Sequence, residues 1–225
     1  MTPSARDTEP ATDAAADKAR LRRSLREARA ALDPLDRQDQ SRALARSVTQ
    51  YLERTTAPTG GTPSRHATIA AYLGVDPEPG TAPLLGELHR LGFGVVVPVC
   101  ERGYQLSWTT WAPGVALERS VRAPVFEPVG ARRSFEELQD VALVLVPALA
   151  VDRSGHRIGQ GGGYYDRFLA RHPLGRPGAV PRLGAVYRSE ILPAGAVPVE
   201  PCDQPLQGTF TADGLLGFEA RRPPV

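Results

Sequence analysis

The sequence predicts an α/β fold in which helices flank a mostly parallel central sheet, a Rossmann-like three-layer architecture. Three observations lead to this prediction. The run Val141–Val146 (VALVLV) is apolar at every position, as strands buried on both faces of a parallel sheet are. Two other short apolar runs, Ala67–Leu73 and Gly94–Val99, read as strands. These runs alternate with segments of helical periodicity, which is typical of βαβ units.

The first part of the chain is predicted to be helical after a disordered tail. Residues 1–17 are polar, Ala-rich and aperiodic, so we expect them to be disordered. Apolar side chains then recur at helical spacing. Asp33 followed by Pro34 matches an N-cap with proline at the first helical position, so a second helix should run to about Glu53. The Thr-, Pro- and Gly-rich stretch 55–65 predicts a loop.

The rest of the chain continues the alternation of helices and strands. The expected elements are, in order, a helix from an N-cap at Thr81 to Leu91, a more exposed strand over Tyr104–Trp111, a short capped helix from Ser134, a helix over Tyr164–Arg171 and a last core strand over Leu183–Tyr187. We therefore expect residues 18–225 to form a single domain.

Composition excludes several classes of protein. The chain has 225 residues, of which 41% are hydrophobic and 23% charged, as in ordinary globular proteins. No apolar run is long enough to span a membrane, and the N-terminus lacks a secretory signal. A net charge of +2 is too small to indicate a nucleic-acid surface. Cys100 and Cys202 form no CxxC pair. We expect a cytoplasmic monomer that binds neither membranes nor nucleic acid.

The basic residues are almost all arginine. Of the 27 lysines and arginines only Lys18 is a lysine, so the other 26 are arginines. A GC-rich coding sequence produces such a bias without a functional cause. The one retained lysine then stands out, because an ammonium is a compact point charge and a guanidinium is a planar fork. Chance survival of a single lysine is the alternative interpretation.

A glycine-rich segment follows VALVLV and precedes a predicted helix. Gly159 to Gly163 read Gly-Gln-Gly-Gly-Gly, so successive backbone N–H groups can converge on an anion at the end of the sheet. Arg157 adds a fork of donors for a phosphate or carboxylate. The segment is neither GxxxxGK[ST] nor GxGxxG, because it lacks lysine and Tyr164 replaces the last glycine. A flexible surface loop is the alternative.

Two carboxylates are candidates for a divalent cation. Asp166 falls in the first turn of the predicted helix, where it would repel a bound phosphate unless a cation such as Mg²⁺ lay between them. Asp203 is a candidate second carboxylate. The alternatives are a favourable helix-dipole contact for Asp166 and an ordinary loop position for Asp203.

The segment from Val146 to Leu169 resembles the signature of the 5-formyltetrahydrofolate cyclo-ligase family, also called methenyltetrahydrofolate synthetases. The matching residues are Pro147, Asp152, Gly155, Arg157, Ile158, Gly159, Gly161, Gly163, Tyr164, Tyr165 and Asp166. Further matches are Lys18, Leu21 and Arg22 near the start, Tyr72, Leu73, Glu78 and Thr81 after the first strand, Phe126, Glu127 and Pro128, and Pro198, Glu200 and Asp203 near the end. The resemblance covers nearly the whole chain after residue 17.

The resemblance implies three sets of site residues. ATP would contact Lys18, Arg22, Arg157, Ile158, Gly159, Gln160, Gly161, Gly162, Gly163, Tyr164 and Tyr165. The folate substrate would contact Leu73, Glu78, Gln160, Gly161, Gly162, Gly163 and Tyr164, and Mg²⁺ would bind Asp166 and Asp203. Gln160 and Cys202 depart from the residues common in the family at their positions.

The resemblance also implies an activity. The family cyclises 5-formyltetrahydrofolate to 5,10-methenyltetrahydrofolate and splits ATP to ADP and phosphate, with Mg²⁺ as cofactor. No side-chain nucleophile is needed, which agrees with the lack of a Ser/His or Cys/His arrangement in the sequence. The alternative is a paralogue of the same fold that uses another substrate or acts as a folate- or nucleotide-binding regulatory protein.

Overall fold

The computed structural model of the protein describes residues 11–56, 67–176 and 178–218. The strands are β1 (Thr68–Ala70), β2 (Gly94–Cys100), β3 (Leu106–Thr110), β4 (Leu117–Arg119), β5 (Phe126–Pro128), β6 (Val141–Pro147), β7 (Ala150–Asp152), β8 (Arg157–Ile158), β9 (Arg182–Ala185), β10 (Ile191–Leu192), β11 (Gly208–Thr211) and β12 (Gly214–Gly217), and the helices are α1 (Ala11–Ala30), α2 (Pro34–Thr55), α3 (Ala82–Arg90) and α4 (Tyr164–Arg171).

A seven-stranded sheet of order β12-β11-β9-β6-β1-β2-β3 forms the centre of the fold. The five inner strands pair in parallel, and the two edge strands β3 and β12 are antiparallel to their neighbours. The predicted α/β class and the mostly parallel sheet are confirmed. The strand predicted from VALVLV is β6, which lies in the middle of the sheet.

Alternate side chains of each inner strand face opposite sides of the sheet, as strand geometry requires. Leu143 and Leu145 of β6 join a buried cluster with α2 and α3, whereas Val144 and Val146 join a second cluster with Phe168 of α4. Helices therefore cover both faces of the sheet, which confirms the three-layer architecture.

Helix ends follow the local sequence signals. Asp33 caps α2, because its carboxylate accepts hydrogen bonds from the backbone N–H groups of Leu35 and Asp36. Helix α4 has the predicted bounds. Thr81 precedes α3 as expected but does not cap it with its side chain. Its hydroxyl instead donates to the Tyr72 carbonyl at 2.6 Å, which ties the start of α3 to the end of β1.

A second, three-stranded sheet of order β10-β7-β8 carries the chain into the glycine-rich segment. Leu25 of α1 packs on it in a buried cluster with Leu149, Ile158 and Val197. The buried Arg29 at the end of α1 donates to both carboxylate oxygens of Glu190 and to the carbonyl of Ala148. Helix α1 is thereby fixed beside the glycine-rich segment.

Three sequence expectations are corrected by the structure. Helix α1 begins at Ala11, so residues 11–17 are helical rather than a disordered tail. The run is rich in alanine, which has the highest helix propensity, and residues 1–10 lie outside the described residues. The strand predicted over Leu183–Tyr187 is β9, but it is not the last strand of the sheet, because β11 and β12 follow it. The strand over Tyr104–Trp111 is less exposed than expected, since Trp108 is fully buried.

The capped turn predicted at Ser134 is a 3-10 helix over Phe135–Glu137 with a capping box. Most of the loop predicted over 55–65 lies outside the described residues. Within the part of the chain that the structure describes, no helix has both the length and the apolar character that a membrane crossing requires.

Candidate active site

The glycine-rich segment connects β8 to α4, next to the carboxyl end of the central strand β6. Asp152, at the end of β7, is fully buried and fixes the approach to this segment. One of its carboxylate oxygens accepts from the backbone N–H groups of Ser154 and His156, and the other from those of Gly195 and Val197. The β7–β8 turn is therefore held by a carboxylate that accepts four backbone hydrogen bonds.

The backbone of Gly159–Gly163 presents free hydrogen-bond donors. In the hydrogen bonds of the described residues, none of these five N–H groups donates to another group of the protein. Gly161 and Gly163 have φ values of +106° and +72°, which other residues rarely adopt. These glycines turn the chain back on itself at the start of α4, where the helix dipole also favours negative charge. The arrangement is suited to binding an anion.

Arg157 and Asp166 form an ion pair beneath this loop. The buried Arg157 guanidinium donates to an Asp166 carboxylate oxygen at 2.6 Å. Asp166 is only partly buried, with 26% of its side chain exposed, so the carboxylate remains accessible beside the loop. The structure thus brings together these two residues predicted for ATP and Mg²⁺. The Arg157 guanidinium is paired with Asp166, and its predicted contact with ATP remains a prediction.

Two arginines of α1 bind the loop from the other side. The Arg22 Nε donates to the Gly159 carbonyl at 3.0 Å. Arg26 donates to the Gln160 carbonyl at 2.8 Å and to the Gln160 side-chain oxygen at 3.1 Å. Arg22 lies beside the loop, and its predicted contact with ATP remains a prediction. Arg26 is a residue that sequence reasoning missed, although its position one turn after Arg22 on the same helix face could have indicated it.

Lys18 lies in a separate cluster of charges. Its buried ammonium contacts carboxylate oxygens of Glu200 and Asp203, each at 2.5 Å. Burial by itself lowers the pKa of Lys18, but hydrogen bonds and charges from the two carboxylates more than offset this and hold the pKa above its usual value. Lys18 therefore stays charged and paired, and its predicted contact with ATP remains a prediction. Glu200 was not singled out as a site residue, although it stands in the motif that contains Asp203.

On the predicted folate side, Glu78 is connected to the glycine-rich segment through Gln160. The Gln160 amide donates to a Glu78 carboxylate oxygen at 3.1 Å, and the second oxygen accepts from the Val75 N–H at 3.2 Å. Leu73 is half-buried and packs against the core cluster that contains α2 and α3. The structure therefore brings Glu78, which follows β1, into contact with Gln160 of the glycine-rich segment.

Tyr164 and Tyr165 begin α4 and differ in their surroundings. Tyr164 packs edge-on against Tyr104, with ring centroids 5.5 Å apart. Tyr104 is half-exposed and has a positive φ of 57°, so the backbone there holds its ring against Tyr164 at some cost in strain. No sequence signal indicated Tyr104. The Tyr165 hydroxyl is buried, and this burial raises its pKa well above the usual value.

The carboxylates suit Mg²⁺ in chemical type, because hard divalent cations prefer carboxylate oxygens. Asp166 fits such a role, since it is accessible and borders a loop built to receive an anion. Asp203 clusters with Glu200 and Cys202, but the Lys18 ammonium already supplies a cation there. Asp166 is not part of that cluster. The two carboxylates predicted to share one Mg²⁺ are thus each held by a different basic residue.

Known proteins with similar sequences share one description. A 5-formyltetrahydrofolate cyclo-ligase from Mycolicibacterium smegmatis is 37% identical over 151 residues, which cover 64% of this chain and 73% of that protein. The 5-formyltetrahydrofolate cyclo-ligase of Escherichia coli K12 is 28% identical over 191 residues, covering 83% of this chain and 96% of the relative.

Solved structures and a family model agree with this. The solution structure of an Aquifex aeolicus 5,10-methenyltetrahydrofolate synthetase matches with a TM-score of 0.67 and 24% identity over 92% of this chain and 96% of that one. A Mycoplasma pneumoniae 5,10-methenyltetrahydrofolate synthetase matches with a TM-score of 0.62 and 19% identity over 87% of this chain and 99% of that one. At these identities the two structures show the fold. The model of the 5-formyltetrahydrofolate cyclo-ligase family matches residues 14–212, and the chain belongs to this family.

Proposed function

We propose that this protein cyclises 5-formyltetrahydrofolate to 5,10-methenyltetrahydrofolate and converts ATP to ADP and phosphate, with Mg²⁺ as cofactor. One observation carries the nucleotide part of the proposal. The five backbone N–H groups of Gly159–Gly163 have no partner among the described residues and lie between Arg22 of α1 and the first turn of α4. A polyphosphate is an anion that can satisfy several such donors together.

The reaction needs a better leaving group than a formamide oxygen. Transfer of the γ-phosphoryl group of ATP to the formyl oxygen breaks the bond between the γ-phosphorus and the β–γ bridging oxygen and releases ADP. N10 of the folate then attacks the formyl carbon, and the oxygen leaves as phosphate. Catalysis of such a transfer depends mainly on positioning and on stabilising charge, so it requires no nucleophilic side chain.

In this proposal the glycine-rich segment and the charged residues around it bind the phosphates and the metal ion. The N–H groups of Gly159–Gly163 and the Arg22 guanidinium bind phosphate oxygens, and Arg157 positions Asp166. Mg²⁺ at Asp166 supplies charge neutralisation when it is bound. Asp203 holds Lys18 through its Oδ2, so its Oδ1 could bind Mg²⁺ while the ammonium stays in place and would add positive charge near the phosphates. Lys18 and Asp203 therefore act together in this proposal.

The folate side of the site is formed by Glu78, Leu73 and Tyr164. The Glu78 carboxylate is an acceptor of the kind that the N–H edge of a pterin needs, and at present it accepts from the Gln160 amide. The substrate takes over this hydrogen bond when it binds, and Gln160 turns towards it. Leu73 and the Tyr164 ring provide apolar contacts for the pterin and its neighbouring ring.

The proposal is tested by mixing the protein with 5-formyltetrahydrofolate, ATP and Mg²⁺ and following the near-ultraviolet band of the methenyl product. We expect product formation that requires both ATP and Mg²⁺. Ligand binding without turnover, measured by calorimetry, would instead indicate a regulatory protein of the same fold. The absence of both turnover and binding would indicate another substrate.

A matched pair of variants on α1 tests the phosphate contact. Arg22→Gln removes the guanidinium beside Gly159, so we expect the KM for ATP to rise about 10-fold, as loss of one charge-assisted hydrogen bond predicts. Arg23→Gln changes the next residue, which is exposed, and is expected to leave KM unchanged. Equal kinetics of the two variants would contradict the placement of Arg22 against the phosphates.

A further inference from the structure

Four basic side chains are buried in the described part of the protein: Lys18, Arg29, Arg157 and Arg182. The first three are paired with carboxylates, namely Glu200 and Asp203 for Lys18, Glu190 for Arg29 and Asp166 for Arg157. Arg182, only 3% exposed, has no carboxylate within ion-pair distance among the described residues. A buried charge without a counter-charge is costly, and among these four only the Arg182 charge is left uncompensated by the described carboxylates.

The hydrogen bonds of Arg182 are also incomplete. Its Nη1 donates to the Leu169 carbonyl at 3.2 Å, near the last turn of α4. Its Nε is buried and has no partner among the described residues. Burial, together with the charge of Arg157, lowers the pKa of Arg182 to about 10, and at neutral pH the guanidinium is still charged. The protein therefore keeps a buried cation that its own groups satisfy only in part.

Arg182 is among the residues that line a pocket of about 180 Å³. The rings of Phe135, Phe168 and His172 line it and form a mutual cluster, with centroid distances of 4.7 to 4.9 Å. Arg171 and Arg176 lie at its rim and add positive charge. One acid is close, Glu136, which is half-exposed and approaches the His172 Nε2 at 3.5 Å. The pocket thus combines an aromatic wall with a net positive charge.

We propose that this pocket is a binding site for a small carboxylic acid with a flat apolar body, whose carboxylate pairs with Arg182 and whose ring or branched chain packs against the aromatic wall. A carboxylate matches the planar guanidinium fork better than any other common anion of this size. The volume suits a single ring, well below the size of a folate or a nucleotide. The site lies at the last turn of α4, whereas Asp166 lies in the first turn, five residues or about 7.5 Å along the helix axis before Arg171. It is separate from the proposed cyclisation site.

The test uses benzoate as the probe and benzamide as its uncharged counterpart. Both are titrated into the wild-type protein without folate or ATP, so the outcome does not depend on the cyclisation activity. We expect saturable binding of benzoate, with benzamide at least about 10-fold weaker because it lacks the charge. Methyl resonances of Val144 and Leu169, which line the pocket, should shift during the titration. Equal binding of the two probes, no binding of benzoate, or shifts confined to Gly159–Gly163 would overturn the proposal.

Two variants identify the residue that recognises the charge. Arg182→Met is expected to abolish the preference for benzoate over benzamide, and its folding is checked by a thermal unfolding curve. Arg176→Gln, at an exposed position, should fold normally and weaken benzoate binding about threefold through the loss of one rim charge. Unchanged affinity for benzoate in a folded Arg182→Met protein, or in Arg176→Gln if the first variant does not fold, would contradict the assignment.

Discussion

The two ends of α4 each hold a buried arginine, and the two differ in what surrounds them. At the first turn, Arg157 pairs with Asp166 at 2.6 Å beside the glycine loop. Near the last turn, the Arg182 side chain donates to the Leu169 carbonyl and lines an aromatic pocket, with no carboxylate partner among the described residues. A paired guanidinium is a fixed part of the protein and can position a carboxylate. An unpaired one costs stability and is available to a ligand, so the partner of a buried charge indicates its role.

The largest effect is expected at the paired end. Asp166→Ala should lower the rate of cyclisation about 10³-fold, because it removes the accessible carboxylate beside the loop. It should also lower the free energy of unfolding by about 1–3 kcal/mol, because Arg157 is left buried without a partner. The near-ultraviolet product band and urea unfolding measure the two effects.

Asp213→Ala serves as the control, since that carboxylate is 68% exposed and pairs with a surface arginine. It is expected to change neither quantity appreciably. If Asp166→Ala loses stability but keeps its rate, Asp166 has only a structural role as the partner of Arg157.

Removing a buried charge should have opposite effects at paired and unpaired positions. Arg29→Met leaves Glu190 buried without its partner and should lower the free energy of unfolding by about 3–5 kcal/mol. Arg182→Met removes an uncompensated charge among apolar side chains and should raise the free energy of unfolding by about 1–2 kcal/mol. Urea unfolding of the two variants beside the wild type checks both signs.

The relative stabilities of Arg182→Met and Arg29→Met can contradict the argument for the pocket. A loss of stability in Arg182→Met as large as that in Arg29→Met would mean that the protein itself compensates the Arg182 charge. The argument for a ligand pocket at that end of α4 would then lose its basis. A stabilised variant that also loses benzoate binding would show a functional group retained at the expense of stability.

A smaller effect is expected at a single glycine of the loop. Gly161→Ala places a Cβ on a residue with a φ of +106°, where the three nearest atoms outside the loop backbone belong to Arg22, at 3.7 to 4.0 Å. The strain should cost about 1–2 kcal/mol of stability and raise the KM for ATP about 10-fold by reorienting the N–H groups. Gly175→Ala is the matched control, because Gly175 also has a positive φ, of +88°, and lies outside the loop. The Gly175→Ala protein should lose similar stability and keep its KM for ATP. An equal rise of this KM in both variants would contradict the proposal that the N–H groups of Gly159–Gly163 bind phosphate.

The smallest predicted difference concerns the two cysteines. Burial, with the Glu127 carboxylate close by, raises the pKa of Cys100 to about 12, so its thiol stays protonated at pH 8. Cys202 is exposed. A thiol-reactive chromogenic reagent at pH 8 should therefore modify one thiol per native chain and two after unfolding. Rapid modification of both in the native protein would show that the end of β2 opens readily.

Much of the fold could be predicted because its signals are local. The continuous apolar run of β6, the cap at Asp33 and the bounds of α4 all depend on residues close together in sequence. Strand β11 was missed because Gly208–Thr211 (GTFT) is short and has one large apolar residue, Phe210. Its place in the sheet comes from its pairing with β9 and not from its own composition.

The candidate site was predictable only where one segment carries it. The glycine loop, Arg157 and Asp166 lie within ten residues, and their proximity follows from a single turn into α4. The partners of Lys18 and Arg29 lie more than 150 residues away, so no spacing pattern could identify those ion pairs. Arg182 gave no sequence signal either, because the absence of a partner is a property of the folded protein.

The most direct test of the central claim is a titration of the ¹⁵N-labelled protein with ATP and Mg²⁺, followed through its backbone amide resonances. The account predicts large, saturable shifts for the amides of Gly159 and Gly161–Gly163, because their free N–H groups bind the phosphates. The turn around Gly175, beyond the far end of α4, should change little. Shifts that spare the glycine loop, or that centre on the Arg182 pocket, would contradict the assignment of the nucleotide to the loop.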